Sequence, residues 1–409
     1  MGTNFARDCE PNLVLTRTAD GSRGKGGDKN LRSLKRAHEK AANLLQLFTF
    51  PDIPEGFEGT RGLLKEAVMK KYSLIGVICI FMALLLLTLT APFPSHSQEV
   101  IKLKVANFFP PVHKCSILAE EWCKEIEKRT NGRLKLTYLA GGTLVPANQS
   151  YEGAVRGIAD ISLSSQQWMA GRFPLTEALY LPLGVRSGYQ GTIMINEWYK
   201  KFKPKEYDDV KVLYLNCAPP GVFMTLKPFP SINDLKGLKI RAAGDTAKIV
   251  TAMGAIAVSV PMGDIYEGLQ RGVVEGVIFP AEALKGWRFG DLIRGLQDND
   301  GLGYPSAQCL VMNKGKWNSL PADIQKTIEK IDEEYIEKQG KLWDETTKEG
   351  VEFGISKGMK VFKISPEEVA ITREKMKPVL ADYVKRMKDM GLPGEESLKF
   401  LQDFIKSHS

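Results

Sequence analysis

The sequence predicts an α/β protein, on three observations. Strands and helices alternate from residue 100 to residue 279, which is the rhythm of βαβ units and of helix-covered parallel sheets. From Pro321 onward long charged amphipathic helices take over, and a helix of that length can run as a spine across two lobes. With 409 residues, of which 43% are hydrophobic, the chain has apolar material for more than one core.

Residues 100–108 place Ile101, Leu103 and Val105 between Lys102 and Lys104, the period of a strand with one covered face. A helix follows, with Ile117, Leu118, Trp122, Cys123 and Ile126 recurring at three and four residues, and Asn131-Gly132 supplies its left-handed stop. Leu134, Leu136 and Tyr138 alternate as a second strand, Gly141-Gly142 break the chain, and 147–157 return to a helical pattern. Further strands are predicted at 161–164, 210–216, 238–242, 256–260 and 275–279, with helices over 246–253 and 263–271 between the later ones. The short strand 360–364 interrupts the closing helices, and no internal repeat is present.

Before this region stands a segment of another kind. Met69 is followed by Lys70-Lys71, an almost unbroken apolar run from Leu74 to Leu89, then Pro92, Pro94 and Ser95-His96-Ser97. That is the layout of a secretory signal peptide, 69–97, with cleavage expected after Ser97. A retained transmembrane helix is the competing reading, because the run approaches spanning length. Residues 1–68 are polar, Gly-rich and irregular, as expected of a non-native or misassigned extension. Lys65-Glu66-Ala67 can be encoded as a ribosome-binding sequence just upstream of the Met69 codon, so translation is expected to start at Met69.

The whole chain carries a net charge of +8 with its charges scattered, and residues 98–409 retain 43 Lys+Arg against 39 Asp+Glu, close to neutral. No nucleic-acid footprint is indicated. Only His38, His96, His113 and His408 occur, which weakens metal sites and catalytic triads alike. Nucleotide-loop, zincin, C-x-x-C and nucleophile-elbow motifs are absent, so neither cofactor nor metal is expected and no catalytic residue stands out. Of the cysteines past residue 97, Cys115 and Cys123 lie about 12 Å apart along their helix, too far to bridge. Cys217 and Cys309 can pair if their strands are neighbours, although buried free thiols are the expectation.

Residues 228–280 stand apart. The run Asp234 to Arg241, the turn Met253-Gly254-Ala255, Tyr266 with Leu269-Gln270, and Gly272-Val273-Val274-Glu275-Gly276 follow one another at characteristic spacing. Arg129 to Gly132, Gly157 to Asp160, Leu181-Pro182-Leu183 and Leu320-Pro321 extend the pattern over nearly all of 100–405. This combination resembles the solute receptors of tripartite ATP-independent periplasmic (TRAP) transporters, the DctP family. The resemblance implies a two-lobed periplasmic binding protein fold, type II-like, with crossing hinge strands near Cys217 and Cys309 and long C-terminal helices. It implies lobes of 98–218 plus 305–345 and 219–304 plus 346–409, a small organic acid as ligand, TRAP integral membrane subunits as partners, and a monomer without enzymatic activity. A sensing module for a membrane sensor, or a periplasmic lyase or glycosidase, is the alternative.

By that resemblance Arg241 matches the arginine that clamps the ligand carboxylate, a role suited to a guanidinium's two parallel donors; an exposed arginine closing an edge strand is the plainer reading. Asn107 matches a ligand-facing asparagine or is a turn residue. Ser165, Gln166 and Trp168 occupy the next ligand-contacting loop, with core packing the other role open to Trp168. Gly221 stands where sialic-acid receptors carry a second arginine, and Phe279 stands where many members carry an asparagine. Ile278 replaces a metal-holding residue of the α-keto acid receptors. Phe223 and Phe279 are therefore expected in the ligand site, unless they pack in the core, and favour a monocarboxylate with an apolar or aromatic body.

Overall fold

The alternation of apolar and lysine side chains in the first strand buries Leu103 and Val105 and leaves Lys102 and Lys104 exposed. The computed structural model describes residues 99–408 apart from 170, 245 and 299–302, together with residues 71 and 82. The expected extension 1–68 and, but for 71 and 82, the expected export signal lie outside the described residues. Everything below belongs to the unit His96–Ser409.

In chain order this unit begins with β1 (Ile101–Ala106), α1 (Lys114–Arg129), β2 (Leu134–Leu139), α2 (Ser150–Val155) and β3 (Ile161–Ser164). Then come α3 (Gly188–Phe202), β4 (Val210–Ala218), β5 (Val222–Thr225), β6 (Lys239–Arg241), α4 (Thr246–Ala252) and β7 (Ile256–Val258). Next are α5 (Ile265–Gln270), β8 (Gly276–Phe279), α6 (Ala283–Gly286), β9 (Gly295–Asp298) and β10 (Ser306–Asn313). The chain ends with α7 (Lys314–Ser319), α8 (Ala322–Ser356), β11 (Lys360–Lys363), α9 (Pro366–Asp389) and α10 (Gly394–Ser407).

The strands form two sheets, one in the order β2-β1-β3-β10-β4 and the other β11-β9-β5-β8-β6-β7. Both are mixed, which corrects the expectation of parallel sheets: β10 runs antiparallel to β3 and β4, and β5 antiparallel to β8 and β9. The reason is topological. Strands joined by a helix return parallel, whereas β4 runs on into β5, and β9 leads to β10, by passing from one sheet to the other without a covering helix. The expected α/β fold with crossing strands and long closing helices is present. The helices α3, α6 and α7 and the strands β5 and β9 are not among the predicted elements, and β10 is anticipated only as a crossing strand near Cys309.

Local signals set the ends. Asn131 (φ 53°) and Gly132 (φ 74°) adopt the left-handed backbone that stops α1. Ser365 and Glu368 cap each other's backbone at the start of α9, with Pro366 in the first turn. Ser187 accepts the Gln190 N–H at the start of α3.

The 35-residue α8 ties the two sheets together. Its first two thirds pack on α1 and β4, where the Trp122 indole donates to Asp332 at 2.9 Å and the Trp343 indole donates to Asn216 at 3.0 Å. Its last third reaches the other sheet: a β-carbon at Gly350 would lie 2.3 Å from the Ala281 carbonyl, so only glycine lets the chain beyond β8 approach. The two crossings also meet, with Gly221 N–H donating to the Tyr304 carbonyl at 2.8 Å. Cys217 and Cys309 lie on neighbouring strands but out of register, opposite Ala307 and Leu215, and both are buried free thiols as expected.

Candidate functional site

A cleft of about 640 Å³ opens between segments that follow strands of the two sheets. The first sheet contributes Phe108 and the prolines after it, Gly141-Gly142, Asn148 and Trp168. The second contributes Arg241, the turn from Ser259 to Asp264, and Trp287. The walls approach closely at one point, where Gly244 (φ 54°) lies so near Gln167 that a β-carbon would sit 2.0 Å from its carbonyl oxygen.

Arg241 ends β6, flanked in register by Val258 and Val277. It is 3% exposed, and its Nε donates to the Val260 carbonyl at 3.1 Å. Among the described residues no carboxylate forms an ion pair with it. Burial pushes its guanidinium down to about 10, which leaves it charged at neutral pH, and the Tyr304 phenol partly offsets that push. Its carbon lies 5.6 Å from the centre of the Phe279 ring, which itself packs edge-on against Phe289. Phe279 therefore supports the guanidinium as a cation–π neighbour without lining the cleft.

The sequence-predicted residues do not all gather here. Arg241 and Trp168 line the cleft. Asn107 is buried after β1, its amide donating to the Tyr138 hydroxyl and its carbonyl accepting the Phe109 N–H, both at 2.9 Å. Ser165 donates to the Ala307 carbonyl at 3.2 Å. Gln166 is held by Tyr207, to whose hydroxyl it donates at 2.6 Å, and by Tyr180, whose hydroxyl lies 3.0 Å from its carbonyl oxygen. Phe223 sits inside β5, between Ile278 and Gln297 in register, and is buried in the core.

Gly221 has a steric explanation. A β-carbon there would lie 2.2 Å from the Tyr304 ring, so the place where sialic-acid receptors carry a second arginine is closed to any side chain. Among the described residues that line the cleft, Arg241 is the one cation.

Three lining residues, Phe108, Trp287 and Asp264, escape sequence reasoning. Phe108 meets Trp168 edge to face at 4.9 Å, and the indole nitrogens of Trp168 and Trp287 are buried without a partner among the described residues. Behind Trp287, His113 and Glu282 form a buried pair at 2.9 Å that joins the segment before α1 to the start of α6. Because His113 Nδ1 accepts the Cys115 N–H, its proton resides on Nε2 and is donated to Glu282. Gly286 makes room for the pair, since a β-carbon would meet His113 Nε2 at 2.3 Å.

Residues 106–386 match the family described as "Bacterial extracellular solute-binding protein, family 7" (DctP). The chain belongs to this family. It is a TRAP-type periplasmic solute receptor and not an enzyme. A TRAP periplasmic solute-binding protein from Desulfovibrio salexigens is 32% identical with a TM-score of 0.68, covering 76% of this chain and 97% of that one. One from Rhodoferax ferrireducens, in complex with copurified benzoate, is 25% identical with a TM-score of 0.71, covering 75% and 98%. One from Bordetella bronchiseptica, with bound (R)- and (S)-mandelate, is 27% identical with a TM-score of 0.70, covering 76% and 100%. A monocarboxylate 2-oxoacid-binding periplasmic protein of Nostoc is 26% identical over 55% of this chain, and the match spans 63% of that relative, a little under two thirds. Among the described residues of this chain no helix is long and apolar enough to cross a membrane.

Proposed function

We propose that this receptor takes a monocarboxylate with an apolar or aromatic body and delivers it to TRAP membrane subunits. One observation carries the reading: a buried guanidinium without a carboxylate partner among the described residues lines a cleft walled by Phe108, Trp168 and Trp287. A desolvated charge is costly unless paired, and an incoming carboxylate supplies the pair in bidentate geometry. The aromatic walls then cover the rest of the ligand. Benzoate and mandelate in the Rhodoferax and Bordetella proteins are acids of this type and support the choice.

The lobes are taken as 98–218 plus 305–345 and 219–304 plus 346–409. They close on the ligand about the Gly221–Tyr304 crossing, because only the closed form lets both contact it. In this reading α10 straps back across the first lobe, since its Ser397 accepts from Trp198 of α3. The receptor acts as a monomer, exported on the signal 69–97.

Calorimetric titration of residues 98–409 with benzoate and mandelate tests the reading. Saturable binding of at least one acid is expected. Arg241→Ala should abolish it, and Arg241→Lys should weaken it by about tenfold or more, because an ammonium cannot supply the planar fork. Undiminished binding by Arg241→Ala would remove that arginine from the site.

A further inference from the structure

Among the described residues two formal charges line the cleft, and both belong to the second sheet and the segments that follow its strands. Arg241 is buried, while Asp264 is exposed at the end of the turn Met262–Asp264, beyond the Val260 carbonyl that holds the Arg241 Nε. An aspartate at the start of a helix ordinarily caps a backbone N–H, yet Asp264 stands at the N-cap of α5 without a side-chain cap bond. Its own N–H is tied to the Pro261 carbonyl at 3.0 Å, so the turn is fixed while the carboxylate is left over. Among the described residues no cation pairs with it. The other polar lining groups, Asn148 and Ser259, are neutral.

We propose that Asp264 determines specificity in this cleft: it accepts a hydrogen bond from a hydroxyl on the ligand's far end and rejects a second carboxylate there. This rests on the monocarboxylate reading above, in which Arg241 anchors the ligand's one carboxylate. A ligand anchored at Arg241 and extending along the aromatic walls brings its distal substituents toward the wall that carries Asp264. A hydroxyl there finds a charged acceptor, among the stronger hydrogen-bond partners a neutral group can meet. A carboxylate there meets a like charge, and among the described lining residues no cation besides the already engaged Arg241 is there to screen it; such a juxtaposition is how binding sites discriminate against a near-isostere. The cleft thus reads as a site for hydroxylated monocarboxylic acids, closed to dicarboxylates by repulsion as well as by the lack of a second cation.

The test compares affinity ratios by calorimetry in the wild type, Asp264→Asn and Asp264→Ala, with benzoate, 3- and 4-hydroxybenzoate, and isophthalate as probes. In the wild type at least one hydroxybenzoate should bind more tightly than benzoate, and isophthalate about tenfold or more weakly. Asp264→Asn should shrink the benzoate-to-isophthalate ratio about tenfold, and Asp264→Ala should erase the hydroxybenzoate advantage as well. Ratios unchanged by both substitutions overturn the proposal while leaving the monocarboxylate reading intact. If no aromatic acid binds the wild type, hexanoate, 6-hydroxyhexanoate and adipate provide the same ratios. If none of these acids binds either, the monocarboxylate reading and the proposal that rests on it fall together. Asp264 is exposed, so folding of both variants is expected and is checked by their melting curves.

Discussion

Gln166 and Arg241 are buried to almost the same degree, 2% and 3% exposed, and they differ in what meets them. Gln166, beside the first sheet, lies in a satisfied network in which its amide engages Tyr207 and Tyr180, and Tyr180 also reaches the Ala307 carbonyl at 2.9 Å. Nearby, Glu206 accepts the Thr176 and Leu175 N–H groups at 2.8 and 3.0 Å. Arg241, in the second sheet, carries a full charge and has one backbone acceptor. Burial with partners marks a group that holds the fold, whereas burial of a charge without a counterion marks one that waits for a ligand.

Asp332 on α8 lies between these cases and should give the largest change in stability. One of its oxygens accepts the Trp122 indole N–H at 2.9 Å, and the other has no partner among the described residues. Burial pushes its carboxyl from 3.8 up to about 8. Between those pH values the folded chain keeps a proton that the unfolded chain has lost, so stability falls as pH rises through the window and is level on either side. The loss is on the order of a few kcal/mol. Thermal melts from pH 4 to pH 8 should show Asp332→Asn losing stability less steeply than the wild type. Equal slopes would mean that Asp332 is ionised in the fold.

Gln166→Leu comes next. Removing the amide takes one partner each from the Tyr207 and Tyr180 hydroxyls, which keep Thr176 and the Ala307 carbonyl, and the loss of these buried bonds costs about 1–2 kcal/mol. Denaturant unfolding should show that loss, while the rise in melting temperature caused by a bound acid persists. Loss of the ligand-induced rise with stability intact would return Gln166 to the binding site.

The sequence makes one side of this contrast legible and hides the other. The strand β1 and the helix α1 are readable because each is apolar on one face and charged on the opposite one. The central strand β10 is buried from Ser306 to Met312 and so has no period to read. Arg241 stands out because its neighbours Asp234 to Lys239 repeat a family pattern. Gln166 and Asn107 share its polarity, and no local pattern shows that one amide is taken by tyrosines and the other by Tyr138 and the Phe109 N–H. Trp287 and Asp264 reach the cleft through loops whose course depends on both sheets. Glycines state such contacts only in retrospect: Gly221 is fixed by a ring eighty-three positions away, at Tyr304.

The smallest expected effect has a direction that decides what Arg241 is for. A side chain retained to hold the fold destabilises when it is removed. A charge held in readiness for a ligand weighs on the empty fold, and its removal relieves that weight. Arg241→Met keeps most of the aliphatic volume beside Phe279 and deletes the guanidinium, so the ligand-free protein should unfold at the same denaturant concentration or at a higher one, by about 1 kcal/mol. Added benzoate should then produce no further stabilisation, whereas it should raise the wild type's melting temperature. A clear loss of ligand-free stability in Arg241→Met would place that residue with Gln166, among the groups that hold the sheet together, and the acid would need another anchor in the cleft.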